Sequence, residues 1–203
     1  MQRNQVEFTL EAFTPLKNAA LQAGCLRSSR IEMSNKLKEL NNLPKETAES
    51  ALLSCCGSQN WAQKMAEARP FADVAEVLNQ AEQIWQNLAP EDWLEAFAAH
   101  PKIGAKKGVS HQTAQSAEWS EGEQSGTQNA ADSVKTELEE ANRLYENKFG
   151  FIFIVCATGK SAKEMLEICR GRLNNSAETE IRVAADEQRM ITEIRLKKLL
   201  EFV

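Results

Sequence analysis

FIFIVCATG, Phe151 to Gly159, is the stretch on which the fold turns. It is short, apolar and β-branched, with Gly150 before it and Gly159 at its end, and alone it reads as a buried strand. The 203-residue chain offers no second strand to pair with it. Its backbone N–H and C=O groups still need partners, so a buried extended segment of this kind has peptide groups to offer a ligand. All that surrounds it reads as helix. The expected class is therefore all-α, helix packed on helix: a single-domain helical bundle with one short buried extended segment.

Downstream, Ser161 and Glu164 match a capping box that opens a helix to about Leu173, and Ser176 opens a last helix to about Leu200. Upstream, Val134, Leu138, Ala141 and Tyr145 recur at helical spacing between Ala130 and Lys148. Further back, Ser34 caps a short helix through Leu37 and Leu40. Pro44 suits the first position of a helix that carries Ala48, Leu52, Cys55 and Cys56 and stops at Gly57. Ser58 caps the next, with Trp61, Met65 and Ala68 on one face, ending before Pro70. The pattern repeats from Phe71 to Leu88, and Pro90, Glu91 and Asp92 make an acidic first turn for a helix bearing Trp93, Leu94, Phe97 and His100. Residues 101–128 are polar and read as a long loop, either functional or disordered. Residues 1–32 lack this patterning and are expected to be a disordered extension, with residues 33–203 forming the helical domain.

The net charge of −5 and the absence of a long basic run argue against nucleic acid and against an anionic membrane surface as partners. No apolar run approaches the ~20 residues of a membrane span. Five cysteines, two of them adjacent and none in a CxxC pair, make a poor disulfide framework and point to a reducing, cytoplasmic setting. Glu7 and Glu11 interrupt any secretory apolar core, and the final Glu201-Phe202-Val203 is not a peroxisomal address.

The chain has two histidines and lacks HExxH, CxxC and Gly-rich phosphate loops, so no metal site is expected. His111 lies in the polar loop and reads as solvated. His100, just before Pro101, reads either as a core or helix-capping imidazole, stabilised when protonated by the helix dipole, or as a general acid/base. Ser120-Glu121-Gly122-Glu123-Gln124 reads as a capping box with Ser120 at the N-cap. It also reads as a helix face presenting a hydroxyl, a carboxylate and an amide, which match the donors and acceptors of a urea-like edge. Arg195 lies between Ile191 and Leu199 on an inner helical stripe, and Arg172 follows Met165 and Cys169 in the same way. An inward guanidinium wants an anion, from the protein or from a substrate.

LNNL (40–43), CCGSQNW (55–61), RPF (69–71), HPKIG (100–104), SEGEQ (120–124), FGFIFIVCATG (149–159), RLNN (172–175) and IRLKKL (194–199) occur in an order and spacing that resemble the OHCU decarboxylases of urate degradation. The resemblance implies an all-helical bundle, a homodimer, and no metal or organic cofactor. It implies a small-molecule substrate, 2-oxo-4-hydroxy-4-carboxy-5-ureidoimidazoline, that loses CO2 to give (S)-allantoin. It carries the catalytic roles onto His100 and Glu123. Substrate binding falls to Pro101, Ser120, Gln124, the backbone near Phe153 and Val155, and a C-terminal arginine, Arg195 or alternatively Arg172. The family usually reads FGFPF where this chain has Ile152, whose retained N–H needs a partner. Two other readings stand beside this one. A non-enzymatic helical interaction module predicts a dispensable His100 and an internally paired Arg195. A binder or hydrolase of another ureide keeps the fold and changes the ligand.

Overall fold

The computed structural model describes residues 35–103, 113–127 and 130–201. The expected extension, residues 1–32, as well as Ser34, Gly104 and His111, lie outside the described residues. Among the described residues there are nine α-helices and no strand. They are α1 (35–42), α2 (Lys45–Cys56), α3 (Gln59–Glu67), α4 (Val74–Gln86), α5 (Pro90–Ala98), α6 (Ala114–Glu123), α7 (Asp132–Phe149), α8 (Ala162–Arg172) and α9 (Ala177–Leu199). The all-α expectation holds. No helix among them is long and apolar enough to cross a membrane.

Local chemistry sets most of the boundaries. Ser58, Ser161 and Ser176 each accept a hydrogen bond from the backbone N–H three residues on, and Glu164 closes the capping box at Ser161. Gly57 ends α2 with φ of 89°, a left-handed conformation that costs glycine little. Some edges move. Pro44, expected as the first helical residue, is the N-cap of α2, so the helix starts one position later. Asp73 caps α4, so that helix starts later than Phe71. Ala68 and Leu94 are exposed, Leu94 by 38%, so the apolar stripes are narrower than the spacing suggested.

The longest helix, α9, lies against α2, α4 and α5, and with α1 and α3 these enclose the larger apolar core around Leu52, Trp61, Met65, Phe97 and Leu196. Indole N–H groups buried there find carbonyls: Trp61 donates to Ala81 at 3.1 Å and Trp85 to Ala185 at 3.0 Å. Two of the motif stretches meet here. Asn41 exchanges two hydrogen bonds with the backbone of Phe71, and Arg69 donates to the carbonyls of Leu40 and Leu43. α7 and α8 pair to enclose a second core around Leu138, Tyr145, Met165 and Cys169.

The extended segment runs between the two cores. Ile154 and Cys156 pack into the larger core, while Phe153, Val155 and Ala157 pack into the smaller. Side chains of an extended chain alternate between faces. A strand with a core on each side must therefore be apolar throughout, which is why this stretch reads as a sheet strand without a sheet. Side chains take the place of ladder partners. Arg172 donates to the Ile154 carbonyl at 2.8 Å, Glu187 accepts from the Cys156 N–H at 2.8 Å, and Lys160 donates to the Cys156 carbonyl at 2.6 Å. The backbone groups of Phe153 and Val155 have no partner among the described residues.

Candidate active site

His100 sits two residues beyond α5, its N–H held by the Phe97 carbonyl at 3.1 Å. Pro101 disfavours further helix at this position, so the imidazole lies past the last turn and not within it. The side chain points inward and is 8% exposed.

The polar stretch after it is not all loop. Thr113 caps α6 by accepting from the Ser116 N–H at 3.1 Å, and its hydroxyl lies 3.0 Å from that of Ser54 on α2. With α6 starting there, Ser120 falls inside the helix and cannot be an N-cap. Its hydroxyl donates to the Ser116 carbonyl at 2.8 Å. The capping-box reading of Ser120 and Glu123 is thereby corrected. Ser120, Glu123 and the C-cap residue Gln124 share the end of one helix, as the alternative reading required.

His100, Pro101, Ser120, Glu123, Gln124, Phe153 and Val155 all line one narrow cavity of about 20 Å3. Sequence reasoning left out Ile103, Ala157, Thr158 and Ile194, which share that lining, and Ile191, which it used only to place Arg195. Ala157 and Thr158 belong to the apolar extended stretch and Ile191 and Ile194 to α9, as Arg195 does, while Ile103 lies in the HPKIG motif. Behind His100 a second cavity of about 390 Å3 is lined by Ser54, Cys56, Gly57, Thr113, Ser116 and Arg195. His100 thus stands at the partition between two chambers.

Arg195 is 3% exposed. Its Nε donates to Glu123 Oε1 at 3.1 Å and its Nη2 to Glu123 Oε2 at 2.8 Å and to Ser120 Oγ at 2.9 Å. Lys198 adds a second cation to Glu123 at 3.3 Å. The Nη1 of Arg195 has no partner among the described residues and leaves two N–H donors over. Arg195 is thus internally paired, as the non-enzymatic reading predicted, yet keeps donors free.

Arg172 lines neither chamber. It pairs with the wholly buried Glu180, its Nε donating at 2.7 Å, and shares that carboxylate with Tyr145 and Asn175. Its role is to hold the extended segment through the Ile154 carbonyl. Ile152 packs partly buried against the larger core, and its N–H has no partner among the described residues.

Burial, and then the charge of Arg195, lower the proton affinity of His100 to a pKa of about 3, opposed only by Gln188. The imidazole is therefore neutral near pH 7, contrary to the protonated, dipole-stabilised form considered above. Cys55 and Cys56 beneath it are fully buried, and burial raises both thiols, that of Cys56 to about 12. They are core residues and not nucleophiles. Among the described residues, no group of three or more His, Cys, Asp and Glu side chains could hold a metal ion.

An all-helical fold thus gathers a buried imidazole, a carboxylate held by Arg195, and peptide groups without a partner among the described residues around one cavity, an arrangement suited to a small polar molecule. The sequence profile of the family described as OHCU decarboxylase matches residues 41–197. A relative from Arabidopsis thaliana, "Uric acid degradation bifunctional protein TTL", is 41% identical over 166 residues, covering 76% of this chain and 48% of that protein. The "2-oxo-4-hydroxy-4-carboxy-5-ureidoimidazoline decarboxylase" of Haloferax volcanii is 24% identical, covering 79% of this chain and 93% of its own length. A solved structure of "OHCU decarboxylase in the presence of (S)-allantoin" superposes with a TM-score of 0.64 at 39% identity, covering 73% of this chain and 96% of that one. The chain belongs to the OHCU decarboxylase family. It spans about half the length of the bifunctional Arabidopsis relative.

Proposed function

We propose that this protein converts 2-oxo-4-hydroxy-4-carboxy-5-ureidoimidazoline into (S)-allantoin and CO2 without a cofactor. One observation carries the reading. His100, Glu123, Ser120, Gln124 and the free peptide groups of Phe153 and Val155 converge on one cavity, with Arg195 bound to two of them.

The substrate carries its own electron sink. As the bond to the carboxylate breaks, its electron pair moves toward the adjacent C=N bond, CO2 leaves, the ring nitrogen takes up a proton from solvent, and a second proton, that of the hydroxyl, must reach the ureido-bearing carbon from one face. Gln124, Ser120 and the 153 and 155 peptides match the donors and acceptors of the ureido and ring amides. The free Nη1 of Arg195 offers two N–H donors to the carboxylate or a ring oxygen. Neutral His100 is set to accept the hydroxyl proton. Burial is the main reason its proton affinity is low; with Arg195 engaged by substrate, the second and smaller cause, the guanidinium charge, is partly offset. The resulting imidazolium, buried and costly, returns the proton to carbon. Glu123 acts through Arg195 and the ureido N–H groups, and is not among the groups that set the proton affinity of His100. Orientation and one placed proton together contribute several powers of ten.

The homodimer is part of the proposal and is tested by sedimentation. A cytoplasmic setting fits Cys55, Cys56, Cys156 and Cys169, all free thiols and buried.

Circular dichroism of allantoin formation tests the reaction, with urate fed through urate oxidase and hydroxyisourate hydrolase. Rapid (S)-allantoin from wild type, with slow and optically inactive product from His100→Ala, is the expected result. Equal rates remove His100 from the mechanism. No acceleration by wild type overturns the reading and favours the interaction module.

A further inference from the structure

Gln188 lies on the inner stripe of α9, four residues before Thr192 and seven before Arg195, and is 0% exposed. Its Nε2 donates to the Cys56 carbonyl at 3.2 Å and to Thr192 Oγ1 at 3.3 Å, and the Thr192 hydroxyl donates back to the Gln188 carbonyl at 3.0 Å. The Cys56 carbonyl needs a donor, which fixes which end of the amide is nitrogen. The other end, Oε1, is the one buried side-chain nitrogen or oxygen among the described residues with no hydrogen-bond partner. An orphaned buried oxygen is rare enough to need a reason.

The reason is the imidazole beside it. The Gln188 side chain acts on His100 as a hydrogen-bonding neighbour that favours the protonated ring. With Nε2 held by the Cys56 carbonyl and Thr192, Oε1 is the end of the amide left to face the imidazole. Cys56, whose carbonyl anchors the amide, lines the same chamber as His100. The bond is not closed in this structure. Substrate-free sites often hold such bonds long or poorly aligned.

We propose that Gln188 is the positioning residue of His100, its Oε1 accepting the ring N–H so that one tautomer is held and the other ring nitrogen presents its lone pair to the cavity. This rests on the acid/base role proposed for His100. The arrangement is that of a base oriented by a third group, with an uncharged amide where a carboxylate often stands. An amide aligns the ring without placing a negative charge beside it. The other titratable groups lining the two chambers with His100 are Cys56 of α2, Glu95 of α5, Glu123 of α6 and Arg195 of α9.

The test is NMR of ring-labelled histidine, which needs no substrate and so is independent of the decarboxylase reading. The chain has two histidines, so His111→Gln assigns the spectrum. Wild-type His100 is expected as a single tautomer, and folded Gln188→Leu as a mixture. In Gln188→Leu, kcat is expected to fall about 10- to 100-fold with KM nearly unchanged, short of the loss seen when a carboxylate orienter is removed. In Gln188→Glu, the His100 titration is expected to move up by about one pH unit or more, and the acid limb of kcat with it. A folded Gln188→Leu with wild-type tautomer and kcat overturns the proposal, whatever its thermal stability. If Gln188→Leu does not fold, Gln188→Glu decides, and an unmoved His100 titration there overturns it equally.

Discussion

Arg195 grips Glu123 with two donors, Nε at 3.1 Å and Nη2 at 2.8 Å, and the two side chains are 3% and 9% exposed. They lie 72 residues apart in the chain. A buried fork of this kind fixes a carboxylate at the cavity wall and leaves one guanidinium nitrogen without a partner among the described residues.

Replacing Arg195 by Lys keeps the charge and loses the fork. Allantoin formation is expected to fall by about 100-fold or more, because both the carboxylate and the free donors lose their placement. Arg195→Met leaves Glu123 with Lys198 alone, and urea denaturation should show a loss of about 3 kcal/mol, the low end for breaking a buried pair.

Acid should destabilise the protein through His100. The unfolded imidazole takes a proton near pH 6.5, whereas the folded one refuses it until about 3. The stability this neutral ring contributes is therefore complete above pH 6.5 and is lost as pH falls toward 3. Denaturation midpoints at pH 7, 6, 5 and 4 should fall less steeply in His100→Asn than in wild type, by up to about 1.4 kcal/mol per pH unit. Parallel slopes would mean that the ring protonates freely in the folded protein.

Arg172 and Glu180 form a pair of a different kind, buried away from the cavity. Arg172→Met strands a wholly buried carboxylate and should cost about 3–5 kcal/mol, measured by chemical denaturation. Adding Glu180→Met should restore most of that loss. The double variant should remain less active than wild type, because the Ile154 carbonyl has lost the donor that sets the extended segment.

Gly126 marks where the turn after α6 meets the end of that segment. A Cβ there would sit 2.2 Å from the Lys160 carbonyl oxygen, backbone against backbone, so no rotamer relieves it. Gly126→Ala should lower stability by about 1–3 kcal/mol and lower activity through Gln124, two residues before it. Gly171→Ala, in α8 with nothing within 4 Å of its Cβ, is the control and should gain about 0.5–1 kcal/mol. Thermal melts of the two variants separate the cases.

The sequence by itself determined eight of the nine described helices, all but α6, and several of their ends. Ser58, Ser161 with Glu164, Ser176, Gly57 and Gly150 act within a few residues of themselves, so their chemistry is legible without tertiary structure. The strand-like stretch at 151–159 was legible for a related reason, since period-2 burial leaves an apolar run whatever covers it. Motif order named seven residues that the fold brings around the smaller cavity, and missed its aliphatic walls. What only the tertiary structure decided depends on partners far along the chain. Ser120 looked like an N-cap until Thr113, tied to Ser54 on α2, began the helix earlier. Arg172 and Arg195 were equivalent inward arginines until Glu180 took one and Glu123 the other. The proton on His100 depends on burial and on a charge 95 positions away, and the orphaned oxygen of Gln188 exists only because Cys56 and Thr192 hold its amide. Caps are settled by hydrogen bonds across three or four residues, whereas charge states and orientations are settled by desolvation and fields, which exist only once the helices have packed.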